Sequence, residues 1–138
     1  LYSLPPLLGQ IYSEIIDCYN IQSFLLCAFG VRALIEGICI DKGVKDGPLP
    51  KPDGTVYRAD TIQGKIEGLV EAGFLAQKHA ITLHELRLFG NEAIHELNIP
   101  SLDHLKAAIE IIEHTLENVY ELPEKAAMLH SRRPIRPK

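Results

Sequence analysis

Apolar residues recur at helical spacing along most of the chain, and no segment alternates clearly enough to favour a strand. The periodicity predicts helices over about residues 9–20, 23–42, 61–73 and 101–121, and a further helix from Thr82 to the turn before Pro100. The second helix is apolar around most of its circumference, which is typical of a central helix. We therefore predict an all-α fold, an antiparallel bundle of four long helices plus short extra helices.

The longest stretch without a helical pattern runs from Gly43 to Asp60 and is rich in proline and glycine. The run PDGT predicts a turn, and a loop of this length is usually functional or mobile. Four basic residues lie in or beside it: Lys42, Lys45, Lys51 and Arg58. They are either solvated side chains or part of a basic surface, and the pattern leaves both interpretations open.

Length and composition fit one folded domain over residues 1–130. The chain has 138 residues, 46% of them apolar, and no apolar run reaches the ~18 residues of a membrane span. It begins at Leu1 without a signal peptide, so we expect a segment of a longer cytoplasmic protein in which a neighbouring domain is a possible partner. We expect no membrane association.

Metal and cofactor chemistry have little support in the sequence. The three cysteines form no CxxC pair and lie in apolar helical surroundings, as buried thiols in a reducing compartment do. His95 has no second histidine at i, i+4, the spacing that helical metal sites use. We expect neither a metal nor another cofactor.

Charge is distributed unevenly along the chain. Four of the 14 basic residues lie in residues 131–138, SRRPIRPK, which leaves ten basic against 18 acidic side chains in the rest. Sequence-independent nucleic-acid binding relies on many contacts between basic side chains and phosphates, so the acidic body disfavours it. We expect the basic tail, 131–138, to be a disordered terminus or linker, with contact to RNA or an acidic partner as the alternative.

The most informative polar pattern lies in LRLFGNEAIHE, residues 86–96. Arg87, Asn91 and His95 stand at i, i+4 and i+8, so on a helix they form one row that drifts about 40° per step. His84, three residues before Arg87, shares roughly that face and is a weaker candidate. The row fits phosphate handling, and it equally fits a buried hydrogen-bond network between helices.

Metal-independent RNA cleavage is the chemistry that the row suggests. His95 has the side chain of a general base, Arg87 binds phosphate through its planar fork, and Asn91 orients the imidazole or a phosphate oxygen. Along a straight helix, however, the Cα atoms of Arg87 and His95 lie ~12 Å apart. A kink at Gly90 would shorten this distance, and antiparallel pairing of two copies near Asn91 would place Arg87 beside the partner subunit's His95.

The same residues also allow a purely structural interpretation. In it Arg87 pairs with Glu36 or Glu96, and Arg32 and Glu36 form an i, i+4 ion pair on the apolar second helix. These residues would then be a supporting polar network that fixes how helices pack.

A resemblance to a known family rests on four short elements: RALIE at 32–36, KI at 65–66, LR at 86–87 and GN-x-x-x-HE at 90–96. With them, about residues 5–121 resemble an uncharacterised bacterial domain-of-unknown-function family, found alone or appended to restriction-endonuclease subunits and other defence-related proteins. That family is similar to the HEPN superfamily of α-helical, usually dimeric proteins, many of which are metal-independent RNases. The resemblance implies a HEPN-like bundle, a homodimer, and catalytic roles for Arg87, Asn91 and His95.

Two functional hypotheses follow. Catalytic HEPN members carry an arginine and a histidine four to six residues apart, whereas seven residues separate Arg87 from His95 and Leu88 follows the arginine. This spacing favours a non-catalytic or weakly active HEPN-like module that dimerises and associates with nucleic acid. The alternative is a metal-independent RNase with a composite site of Arg87 and His95 at a dimer interface.

Overall fold

The computed structural model describes residues 3–131, which are predominantly helical. The elements in chain order are α1 (Pro6–Asn20), α2 (Phe24–Asp41), β1 (Gly47–Pro50), β2 (Val56–Ala59), α3 (Ile62–Glu71), α4 (Gln77–Glu96), α5 (Leu102–Leu116), a π-helical segment (Glu117–Glu121) and α6 (Leu122–Ser131). The all-α prediction is confirmed.

Helix α2 lies at the centre of the fold and packs against α1, α3, α4 and α5. Its buried residues are Cys27, Ala28, Val31, Leu34, Ile35, Gly37, Ile38 and Cys39. Burial on several sides at once explains why its sequence is apolar around most of the helix. The central position predicted for this helix is confirmed.

Helices α1 and α2 approach closely because two glycines of α2 accept side chains of α1. A Cβ atom at Gly30 would lie 2.7 Å from Ile15 Cγ1, and one at Gly37 would lie 2.6 Å from Leu8 Cδ2. Leu8 and Ile15 are fully or almost fully buried. Because the earlier residue of α1 meets the later residue of α2, the two helices run antiparallel.

Residues 43–60 contain an antiparallel hairpin, which the sequence did not predict. Strands β1 and β2 pair Gly47 with Ala59 and Pro50 with Val56. Prolines obscure the strand pattern, but a two-stranded sheet has only edges, where proline is tolerated. The hairpin packs directly on the backbone of α3, since a Cβ atom at Gly68 would overlap the carbonyl oxygen of residue 46.

Two of the basic residues in and beside this hairpin have partners within the protein. Arg58 forms ion pairs with Asp46, at 2.5 Å, and with Glu71, at 2.7 Å. The ammonium of Lys42 lies 4.6 Å from the centre of the Tyr120 ring. These contacts weaken the interpretation of the segment as a basic surface available to nucleic acid.

Helix α4 begins at Gln77, five residues before the predicted start at Thr82. The capping-box prediction is therefore wrong, and Thr82 lies within the helix. Buried Ala80 and Leu75 pack on the core just upstream, and this tertiary packing extends the helix beyond its local capping signal. The cap predicted at Ser101 is confirmed, since its hydroxyl accepts the backbone N–H of His104 at 3.2 Å.

The last predicted helix does not stop at Glu121 but continues through a π-helical segment into α6. Pro123 explains the irregularity, because its ring displaces the carbonyl four residues earlier and Val119 lies within the π-helical segment. Tyr120 of the same segment donates a hydrogen bond to Asp41 at 2.8 Å. This bond ties the end of α5 to the end of α2.

The predicted domain bounds and the predicted disorder of the basic tail stay predictions. Ser131 ends α6, whereas residues 132–138, on which most of the basic-tail prediction falls, lie outside the described residues. None of the described helices combines the length and the apolar composition that a membrane crossing requires.

Substitution of Gly68 by alanine tests the contact between the hairpin and α3. We expect Gly68→Ala to lower the free energy of unfolding by about 1–3 kcal/mol, because the added Cβ meets backbone that cannot rotate away. Urea denaturation measures the change. The matched control is Gly9→Ala in α1, where a Cβ meets nothing within 4 Å and alanine should be neutral or slightly stabilising. Equal changes in the free energy of unfolding in the two variants would contradict close packing of the hairpin on α3.

Candidate functional site

Arg87, Asn91 and His95 all lie on α4, in a row that leads from the packed side of the helix to solvent. Arg87 and Asn91 are partly buried, and His95 is exposed. Helix α4 is continuous from Gln77 to Glu96. The next residue, Leu97, caps the helix in the left-handed conformation, with a φ of 53°. With no interruption of the helix, the Cα atoms of Arg87 and His95 remain ~12 Å apart along its axis.

Gly90 allows α2 and α4 to pack closely at the middle of this row. It is buried, and a Cβ atom there would lie 3.0 Å from Cβ of Arg32. Gly90 was predicted as a possible kink, but its role in the described fold is to make room for the Arg32 side chain. The contact places Arg32 of α2 against α4 three residues after Arg87.

The two arginines form a like-charged pair. The pKa of Arg87 is lowered, first because the guanidinium is partly buried and second because the charge of Arg32 repels it. Glu85 acts in the opposite direction but does not cancel these effects. Among residues 3–131, no carboxylate forms an ion pair with either guanidinium. Two cations held together without an acidic partner are a natural place for an anion to bind.

Arg87 is instead held by a histidine. Its Nε–H donates to Nδ1 of His84 at 3.3 Å, and Nε2 of His84 lies 2.7 Å from Oε2 of Glu67 on α3. Both contacts are satisfied by a neutral imidazole whose Nε2 carries the proton and whose Nδ1 accepts. Only the Nε–H group of Arg87 takes part in this contact. The two terminal nitrogens of Arg87 have no hydrogen-bond partner among the described residues.

The side-chain oxygen of Asn91 is a hydrogen-bond acceptor that no described donor reaches. This Oδ1 atom is buried and has no hydrogen-bond partner among the described residues. A desolvated, unpaired amide oxygen costs free energy, and each such group in a folded protein calls for an explanation. Because this oxygen is shielded from solvent, a ligand could reach it only if the surrounding side chains moved.

The polar network expected around Arg87 is arranged differently from the prediction. Glu36 does not pair with Arg32 or Arg87 but accepts from Lys65 of α3 at 3.2 Å. Glu96 accepts from Asn98 at 2.9 Å, beyond the end of α4. The prediction that Arg87 pairs with one of these carboxylates is therefore wrong, because α3 supplies the partner of Glu36.

Sequence reasoning undervalued His84 and missed Glu67. The position of His84 one turn before Arg87 was the available signal, and it placed the two side chains on one face. Glu67 lies 17 residues before His84 on a different helix, so only the packing of α3 against α4 brings the carboxylate to the imidazole.

Metal binding finds no support in residues 3–131, since no group of three or more His, Cys, Asp or Glu side chains converges there. The buried thiols of Cys27 and Cys39 have pKa values raised to about 11, chiefly by burial, and remain protonated. Within the described part of the chain all three cysteines are free.

A separate groove of about 400 Å³ lies between the start of α4 and α5. Its polar lining includes His79, Glu110 and His114, and neither arginine belongs to it. The groove and the arginine pair are therefore distinct features of the surface.

The fold and the site together define a helical domain whose candidate functional feature is an arginine pair between two packed helices. The chain belongs to the family described as "Domain of unknown function (DUF4145)", whose model matches residues 13–132. A search of curated proteins found no match, and a search of solved structures found none either. The predicted resemblance to a domain-of-unknown-function family is confirmed.

Replacement of Asn91 by leucine tests whether its buried oxygen lacks a partner. We expect Asn91→Leu to raise the free energy of unfolding by about 1–2 kcal/mol, because it removes a desolvated acceptor and adds apolar contact. Thermal and urea unfolding measure the change. Asn98→Leu is the control, since Asn98 is exposed and donates to Glu96. A clear loss of stability in Asn91→Leu would mean that the oxygen is already satisfied.

Proposed function

We propose that this domain is a non-catalytic, or at most weakly active, HEPN-like helical module that dimerises and binds the phosphate groups of nucleic acid. The observation that carries the proposal is the pair of Arg32 and Arg87, which no carboxylate neutralises within the described residues. The predominantly helical fold and the GN-x-x-x-HE element of α4 support the HEPN-like part of the proposal.

Phosphate suits this site better than other anions do. Arginine offers a planar fork of donors that binds two phosphate oxygens at once, and two such forks from different helices can hold one phosphate from two sides. The pKa of Arg87 is lowered first by burial and second by the charge of Arg32, and a bound anion would offset the second effect.

The overall charge limits the extent of the interaction. Apart from its basic tail the chain is acidic, and Arg58 is occupied by Asp46 and Glu71. The domain therefore makes few phosphate contacts, and its affinity should depend on salt less steeply than that of a protein with a broad basic surface.

The geometry of one subunit disfavours RNA cleavage. His95 is exposed and lies ~12 Å along α4 from Arg87, too far for one phosphate group to meet both side chains without a large rearrangement. The histidine that does contact Arg87 is His84, and both of its ring nitrogens are already engaged.

A composite RNase site remains the second candidate, and exposed apolar residues on α4 favour it. Leu88 and Ile81, one heptad apart on α4, are 44% and 62% exposed on the side of the helix that carries His95. Such residues suit a helix that pairs with a second copy. Antiparallel pairing near Asn91 would bring Arg87 beside the partner subunit's His95.

Loss of either arginine should weaken RNA binding. We expect Arg87→Gln and Arg32→Gln each to reduce the affinity for a fluorescent single-stranded RNA of about ten nucleotides by about tenfold, measured by fluorescence anisotropy at low salt. Lys78→Gln is the matched control, because Lys78 is an exposed cation on the same helix and its removal changes the net charge equally. If all three variants lose the same RNA affinity, net charge alone explains the loss and the two arginines do not form a specific phosphate site.

The same RNA, incubated with the wild-type domain and EDTA, separates binding from cleavage. We expect binding without substantial cleavage. Efficient cleavage that is lost in both Arg87→Ala and His95→Ala, while the dimer persists in light scattering, would overturn the non-catalytic proposal in favour of the composite RNase.

A further inference from the structure

The contact of His84 with both Glu67 and Arg87 extends the candidate site beyond the residues that would bind a ligand. We propose that Glu67 and His84 position Arg87 for phosphate binding. The inference rests on the proposed phosphate binding for its functional consequence, but the positioning itself is a property of the free protein.

The two hydrogen bonds of His84 determine which of its ring nitrogens donates and which accepts. Glu67 accepts from Nε2 of His84 at 2.7 Å, which leaves Nδ1 as the acceptor for Nε–H of Arg87 at 3.3 Å. Gln77 donates to the other oxygen of Glu67 at 3.3 Å and holds the carboxylate on its far side. The side chains of Glu67 and His84 are only 20% and 22% exposed, so the pair is largely shielded from water.

The hydrogen bond to His84 matters because the surroundings of Arg87 are unfavourable for a charged guanidinium. Burial and the charge of Arg32 both disfavour the guanidinium where it lies. A free arginine side chain would extend into water, where the repulsion is screened. The bond through Nε holds the side chain near Arg32 and leaves both terminal nitrogens available to a phosphate.

Glutamine at position 84 provides a conservative test, because its amide has a carbonyl oxygen that can accept from Arg87 and an NH₂ group that can donate to Glu67. In the full chain labelled with ¹⁵N, the Nε–H signal of Arg87, identified by its loss in Arg87→Gln, should be visible and slow to exchange in wild type and in His84→Gln. It should be absent in His84→Leu. The Nε2–H tautomer of His84 should appear in the same spectra near pH ~8, and Glu67→Gln should weaken it.

The affinity for RNA separates positioning from a general effect on the fold. The RNA affinity near pH ~8 should fall about fivefold in His84→Leu and stay within about twofold of wild type in His84→Gln. Urea denaturation of each variant shows whether it is folded.

The outcomes separate this inference from the proposed function. An Arg87 signal that is unaffected in folded His84→Leu, or lost equally in His84→Leu and His84→Gln, would overturn the positioning. If the signal behaves as expected but no variant changes RNA affinity, the positioning stands and the proposed phosphate binding fails.

Discussion

The packing of α2 against four other helices is the constraint from which the candidate site follows. A helix buried on several sides has few positions for a charged residue, and between Phe24 and Ile40 it carries only two, Arg32 and Glu36. Glu36 is neutralised by Lys65 of the neighbouring helix α3. Arg32 instead lies beside Gly90 of α4, where the absence of a side chain leaves room for it. The contact that packs two helices therefore also determines where a cation is placed.

The site that results contains two unfavourable features. The charge of Arg32 acts against that of Arg87, and Asn91, on the same helix as Arg87, has a buried oxygen without a donor among the described residues. Proteins retain such unfavourable arrangements mainly where a ligand or a reaction needs them, and removing them often stabilises the fold. The repulsion between the two arginines is of the kind that a bound phosphate would relieve, which is why it supports binding more directly than it supports catalysis. For cleavage, a second subunit would have to supply the imidazole.

Local sequence patterns predicted most of the helices because burial on one face leaves a periodic record. They failed where distant parts of the chain decide the structure. The hairpin over residues 43–60 was missed because prolines conceal its strands, and α4 starts early because Ala80 packs on the core. In the candidate site, spacing placed Arg87, Asn91 and His95 on one helix. The close approach of Arg32 and the contact from Glu67 depend on helix packing, which spacing within one helix does not encode.

The central claim is that Arg32 and Arg87 together bind one phosphate. Thermal unfolding in inorganic phosphate, compared with chloride at the same ionic strength, tests it without assuming a particular nucleic acid. Selective binding to the folded state raises the melting temperature, and the rise grows with the logarithm of the ligand concentration above the dissociation constant. The account predicts that phosphate raises the melting temperature of the wild type by a few degrees and has no selective effect on Arg32→Gln or Arg87→Gln. An equal rise in all three proteins, or no rise in the wild type, would contradict it.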